Sequence, residues 1–288
     1  MRFTSFERGG RKAIALAVHD GWRGLAEGET GFPGTLQALI EADGEALPSA
    51  AKTLAVAPEV RLEHVTLLPP LWSPEKIICV GLNYKDHSSE SGFTQPDYPT
   101  IFGRFNSSLI AHRAPILCPP FSEQLDFEGE LAAVIGKTAR DVAEHEALAY
   151  VAGYSIFNDA SIRDYQFKAP QWTPGKNFDD TGAFDPYFVT ADELPPGCDG
   201  LHIRTRLNGA VVQEASIADM VFSVAGLISI LSRFLTLKPG DVIVTGTPSG
   251  VGLARNPPLW MKEGDMVEVE IEGIGVLSNP VQDRKAAA

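Results

Sequence analysis

The sequence predicts an α+β chain rich in β-structure, and three observations carry that prediction. From Ile77 onward most apolar segments are short and alternate with polar residues, the period-two signature of strands. Turn signals separate them, the sharpest being Asn208-Gly209 between two alternating runs. Strand–helix–strand repeats of the Rossmann kind are few, and no internal repeat or low-complexity stretch interrupts the pattern.

The 288 residues, 44% of them hydrophobic, suffice for a sizeable core. That length is large for one domain and small for two full ones. The net charge of −13 argues against a nucleic-acid partner, because phosphate binding needs a basic footprint. Met1 to Gly10 has no apolar run of the kind a signal peptide carries. The most apolar window, Met220 to Leu237, contains Ser223, Ser229, Ser232 and Arg233 and reads as a buried helix rather than a membrane span. Cys79, Cys118 and Cys198 lie far apart without metal-ligand spacing. The expected location is cytoplasmic, with no membrane partner.

Residues 1–70 read as a small N-terminal domain. Met1 to Phe6 and Ala13 to Val18 are expected strands joined by a turn at Gly9-Gly10. Leu36 to Ala42 and Pro48 to Val56 are expected short helices, and Pro69-Pro70 through Pro74 is the expected linker. Residues 75–283 form the second domain. It opens with a strand at Lys76 to Val80, which runs into Gly81-Leu82-Asn83-Tyr84 and on to His87 and Glu90. Those last two are three apart and share a face if the segment is a helical turn. A carboxylate bonded to an imidazole orients the ring and raises its basicity, although an exposed pair in a polar loop has the same spacing. Arg104 is either a fork for a substrate carboxylate or a surface residue.

The segment Leu125 to Lys137 begins with alternation. Phe127 and Leu131 face one way; Asp126, Glu128 and Glu130 face the other. It then turns wholly apolar, like a strand entering a core. Carboxylates crowded at the mouth of a buried strand repel or protonate unless a hard divalent ion holds them; the alternative is a solvated acidic edge. Tyr154 to Asp159 is another expected strand, and Asp159 is either a site residue or the N-cap of a turn over Ala160 to Gln166. Lys176 sits in a loop and is a solvated lysine unless its neighbours engage it. Ser216 to Phe234 has the apolar spacing of one long helix. Val242 to Val244 is a strand that ends in Thr245 to Gly252, a Gly/Thr/Ser loop suited to an anion but lacking a P-loop's lysine. Met266 to Ile271 is a half-buried strand, with Glu268 and Glu270 on its wet face.

Taken in order, Gly81-Leu82-Asn83-Tyr84 with His87 and Glu90, Asp126 to Leu131, Phe157-Asn158-Asp159 with Arg163-Asp164 and Gln166, Gly175-Lys176, and Thr245 to Gly252 resemble the fumarylacetoacetate hydrolase family. The resemblance is to its bacterial type with a small N-terminal domain. It implies a mixed β-sandwich roll, a homodimer, and a bound Mg²⁺ or Mn²⁺, with Ca²⁺ as a further candidate. It implies Glu128, Glu130 and Asp159 as metal ligands, and His87 and Glu90 as a catalytic dyad on a lid. Lys176 becomes the catalytic cation beside the metal, and Gln166 and Thr247 become substrate contacts. Many relatives carry Lys-Pro where this chain has Arg104-Phe105, which leaves specificity open at that end. The expected reaction is metal-dependent hydrolysis of a C–C bond in an acylpyruvate-like 2,4-dioxo acid, with His87 activating water. The alternative is decarboxylation of a 2-oxo diacid such as oxaloacetate, or isomerisation of a 2-hydroxy-diene diacid, with Arg104 meeting the second carboxylate. A metal-stabilised binding protein without turnover is the third reading.

Overall fold

The computed structural model describes residues 1–42, 44–85 and 97–285. One large sheet runs through it, in the strand order Glu59–Val60, Gly21–Ala26, Arg11–Val18, Arg2–Arg8, Gly182–Thr190, Val151–Asp159, Gly129–Ile135, Val242–Val244, Ile77–Gly81, Thr100–Gly103. A second sheet holds Ala210–Ser216, His202–Leu207, Met266–Ile271, Gly275–Asp283 and Ile116–Cys118. The β-rich α+β class read from the sequence is the observed one. Among the described residues, no helix is long and apolar enough to cross a membrane.

The wholly apolar run of Gly129–Ile135 follows from its position between two cores. Leu131, Ala133 and Ile135 pack with Val267, Val269 and Leu277 of the second sheet. Ala132 and Val134 pack the opposite way, with Cys79, Val242 and Val244. A strand covered on both faces needs apolar side chains at every position.

The N-terminal strands turn at Gly9 and Gly10 with φ of +62° and +74°, as the glycine pair predicts. They continue the large sheet: Phe3 pairs with Phe188, and Phe3, Ile14 and Leu36 share one apolar cluster with Val134, Phe157 and Phe184. Gly21–Ala26 is a strand that the sequence does not advertise, because Gly21-Trp22-Arg23-Gly24 lacks alternation and its two glycines offset the strand propensity of Trp22.

Two expectations need correction. The strand foreseen from Leu125 onward is interrupted at Phe127-Glu128. Leu125–Asp126 pairs instead with Ser161–Ile162, so Asp126 does not share a face with Glu128 and Glu130. The long helix foreseen from Ser216 is also broken. Ser216 and Asp219 form a capping box on a short turn at Ile217–Asp219, and a separate helix, Val224–Ser232, starts at its own cap, Ser223. Asn83 holds the break open. Its Nδ2 donates to Phe222 O (2.9 Å) and Thr245 O (2.7 Å), while its Oδ1 accepts from Phe222 N (2.7 Å).

Asn83 is wholly buried, so truncating it strands three backbone groups. Asn83→Ala is expected to lower unfolding free energy by about 2–4 kcal/mol, the range for orphaning several buried polar groups. Urea unfolding with an unchanged m-value checks this.

Candidate functional site

The pairing of two long strands builds the acidic cluster. Gly129 lies opposite Asn158 and Glu130 opposite Phe157, which brings Glu128 and Glu130 beside Asp159 at the end of the neighbouring strand. Asp159 N donates to Glu128 O at 2.9 Å and closes the corner. One oxygen from each of Glu128, Glu130 and Asp159 lies within 4.8 Å of the others, and all three residues are buried. Gly129 between them admits no side chain: a Cβ there would stand 2.3 Å from Thr205 Oγ1 of the second sheet.

Cations surround two of the three. Lys176, at the end of the short helix Thr173–Lys176, places Nζ 2.5 Å from Glu128 Oε2 and 2.7 Å from Asp159 Oδ2. Arg163, which opens the turn Arg163–Gln166, places Nη2 2.6 Å from Glu128 Oε1 and Nε 2.8 Å from Asp126 Oδ2. Its Nη1 donates to Gln166 Oε1 at 2.9 Å. Asp126 serves as an anchor behind the site. It also accepts from the backbone N–H groups of Phe127, Gly252 and Leu253, tying the Thr245 to Gly252 loop to Arg163.

Glu130 is different. It accepts from Gly246 N–H but has no ion-pair partner among the described residues. Burial, then the charges of Asp159 and Glu128, hold its carboxyl well above the usual carboxylate range. Burial alone would lower the Lys176 ammonium, but Asp159 and Glu128 outweigh it and hold its pKa above the ordinary lysine value. The buried cluster thus sets four carboxylates (Asp126, Glu128, Glu130, Asp159) against three cations (Arg104, Arg163, Lys176). A hard divalent cation among the oxygens of Glu128, Glu130 and Asp159 suits both the donor type and the shortfall of positive charge.

One cavity opens onto this cluster. Glu128, Glu130, Arg163, Gln166, Lys176 and Thr247 supply its polar lining, and Phe102, Trp172, Val251 and Leu253 its apolar wall. Trp172 and Phe102 meet edge to face with ring centroids 5.6 Å apart, and Phe102 lies 5.0 Å from Lys176 Nζ. Gly81 makes room for that wall, since a Cβ there would come within 2.3 Å of the Trp172 ring.

The structure therefore brings together Glu128, Glu130, Asp159, Lys176, Gln166 and Thr247. His87 and Glu90 lie outside the described residues. Arg104 is a correction: it does not line the cavity. Its guanidinium is buried behind Asp159, bonded to Asp159 Oδ1, Thr181 Oγ1 (2.7 Å), Ser108 Oγ (3.2 Å) and Ala160 O (3.3 Å). The attraction of a buried carboxylate draws it inward, away from any ligand. Arg163 and Gln213 are the site residues to which the sequence reading gave no role. The spacing of Arg163 to Gln166, one helical turn, is the signal by which the first could have been found. Gln213, read only as part of a hairpin strand, offers no local signal.

Comparison with known proteins places these observations in a family. Residues 76–282 match the family model described as fumarylacetoacetate (FAA) hydrolase C-terminal. The chain is 41% identical over 252 residues to the mitochondrial oxaloacetate tautomerase Fahd2a of Rattus norvegicus, covering 87% of this chain and 80% of that one. Among solved structures, the fumarylacetoacetate hydrolase of Exiguobacterium antarcticum superposes with a TM-score of 0.84 at 36% identity, covering 99% of this chain and 100% of that chain. The maleylpyruvate hydrolase of Sphingobium sp. SYK-6, solved with manganese(II) and pyruvate, superposes with a TM-score of 0.79 at 27% identity and the same coverage. The matched span takes in the acidic corner, the cavity and the strands that carry their residues, and the chain belongs to the fumarylacetoacetate hydrolase family.

Proposed function

We propose that the chain is a metal-dependent enzyme acting on the enol of a small 2-oxo acid, in the manner of an oxaloacetate tautomerase. The observation that carries this reading is the convergence of Glu128, Glu130 and Asp159 beside Lys176 on one cavity. The sequence put hydrolysis of a 2,4-dioxo acid first and oxaloacetate chemistry second. Identity of 41% to a named oxaloacetate tautomerase supports the second over the first. Hydrolysis remains the second reading, favoured by the likeness to a maleylpyruvate hydrolase that holds pyruvate.

A divalent ion held by Glu128, Glu130 and Asp159 would supply Lewis-acid charge beside the acid's oxygens. The chain's own groups do the rest. Lys176 has three N–H donors and commits two to Glu128 and Asp159, leaving one for a substrate oxygen. Arg163 has five and commits three, to Asp126, Glu128 and Gln166, so two remain for a carboxylate. Arg163 thus takes the part expected of Arg104. Gln166 accepts from Arg163 through Oε1, which leaves its amide N–H groups for substrate. His87, paired with Glu90 in the expected dyad, is assigned the proton transfer: the enol O–H bond breaks and a C–H bond forms at the adjacent carbon. Nothing else is consumed. Phe102 and Trp172 keep water from one side of the cavity.

Glu130→Gln is expected to abolish Mn²⁺ binding, measured by titration calorimetry. Without metal the melting temperature should hold or rise, since a neutral amide relieves the repulsion from Asp159 and Glu128. Retained Mn²⁺ affinity would remove Glu130 from the ligand set.

His87→Ala is expected to slow enol consumption by about 10²–10⁴-fold, the usual contribution of a general acid–base, with Mn²⁺ affinity unchanged. An undiminished rate would take the proton transfer away from His87. Following enol loss, CO₂ release and carboxylic-acid release side by side in the wild type separates tautomerase, decarboxylase and hydrolase. Enol loss alone is the expected result with oxaloacetate.

A further inference from the structure

Gln213 sits on the strand Ala210–Ser216 of the second sheet, with 2% of its surface exposed. Its side chain crosses to the edge of the cavity. Its Oε1 accepts from Gly129 N at 3.1 Å, and its Nε2 donates to Pro248 O at 2.9 Å and to Thr247 Oγ1 at 2.8 Å. Two of these partners are backbone groups of fixed polarity: an N–H only donates and a C=O only accepts. They determine which end of the amide is oxygen. Both Nε2 hydrogens are therefore committed, and the Thr247 oxygen accepts one of them. The proton of Thr247 goes to Gly129 O, 3.0 Å away. A hydroxyl has one donor and two acceptor sites, so Thr247 has one lone pair left for a ligand and no proton.

We propose that Gln213 is a positioning residue that holds the Thr247 hydroxyl as an acceptor at the cavity. The site thereby prefers a ligand form with an O–H to donate, the enol of a 2-oxo acid, over its keto form. This rests on the reading of the substrate as a 2-oxo acid. The keto form offers only carbonyl and carboxylate oxygens, which accept and leave Thr247 unmatched. The remaining donors of Lys176 and Arg163 suit those oxygens on either tautomer. Thr247 is the group that tells the two apart.

The test uses the full chain loaded with Mn²⁺, as wild type, Thr247→Val, Thr247→Ser and Gln213→Met. One readout is kcat/KM for consumption of enol oxaloacetate, followed by its ultraviolet absorbance. The other is the affinity for oxalate, a dianion that only accepts hydrogen bonds. Thr247→Val removes the acceptor. Gln213→Met removes both amide hydrogens, so nothing donates to the Thr247 oxygen and its proton can swing from Gly129 O toward a ligand. Each is expected to lower enol kcat/KM by about tenfold, the value of one matched hydrogen bond, while oxalate affinity changes by less than about threefold. Thr247→Ser, which keeps the hydroxyl, should recover most of the rate lost in the valine variant. If Thr247→Val weakens oxalate as much as it slows the enol, Thr247 acts as a donor and the proposal fails. An enol rate untouched by Gln213→Met overturns it too; if that variant does not fold, the two Thr247 variants decide. A wild type that neither binds oxalate nor consumes enol overturns the 2-oxo acid reading beneath it, whereas a wild type that does both confines any failure to Gln213 and Thr247.

Discussion

The antiparallel register between Gly129–Ile135 and Val151–Asp159 is the constraint on which the rest of the molecule depends. It sets residues that are distant in sequence side by side and forces Glu128, Glu130 and Asp159 into one dry corner. Isolated carboxylates in such a place are strongly disfavoured. Arg104, Arg163 and Lys176 offset much of that penalty, each with its charge held within hydrogen-bond reach of a carboxylate. Their side chains are buried and engaged on more than one side, so the positive charge is fixed before any ligand arrives. Preorganised charge of this kind acts on a reacting group without first having to reorient.

The sequence made the strand frame legible because alternation and wholly apolar runs report burial directly. Gly129–Ile135, Val151–Asp159 and the hairpin at Asn208-Gly209 could all be read that way. Turn chemistry could be read too, as at Gly9-Gly10. The acidic corner was visible only as an unusual density of carboxylates near a buried strand, and its membership came from family resemblance. Alternation placed Asp126 with Glu128 and Glu130, yet the break at Phe127-Glu128 turns it toward Arg163 and the Gly252 loop. Periodicity carries no information about where a strand stops pairing.

Long-range polar contacts were the least legible part. Arg104 looked like a residue free to meet a ligand, because nothing local indicates that Asp159, far along the chain, would draw it inward. Asn83 belongs to a recognisable motif, but its work is done on Phe222 and Thr245. The apolar spacing from Ser216 to Phe234 suggested one helix, whereas capping by Ser223 and the grip of Asn83 divide it. For Arg104 and Asn83 the side chain's partners lie in another element, and local propensity cannot foresee them.

The N-terminal strands bear on how the molecule divides. Residues 76–282 carry the family match and the whole acidic corner, which invites treating them as a self-sufficient module. Yet Arg2 and Phe3 pair with Val189 and Phe188 at the end of Gly182–Thr190, and Phe3 and Ile14 share one apolar cluster with Phe157 and Phe184. Cutting the chain before residue 76 would leave the end of Gly182–Thr190 with unpaired backbone and bare aromatic surface, a template for sheet-to-sheet aggregation. The span that the family model matches is therefore smaller than the sheet it belongs to, and the leading strands act as a built-in shield for the sheet that bears the chemistry.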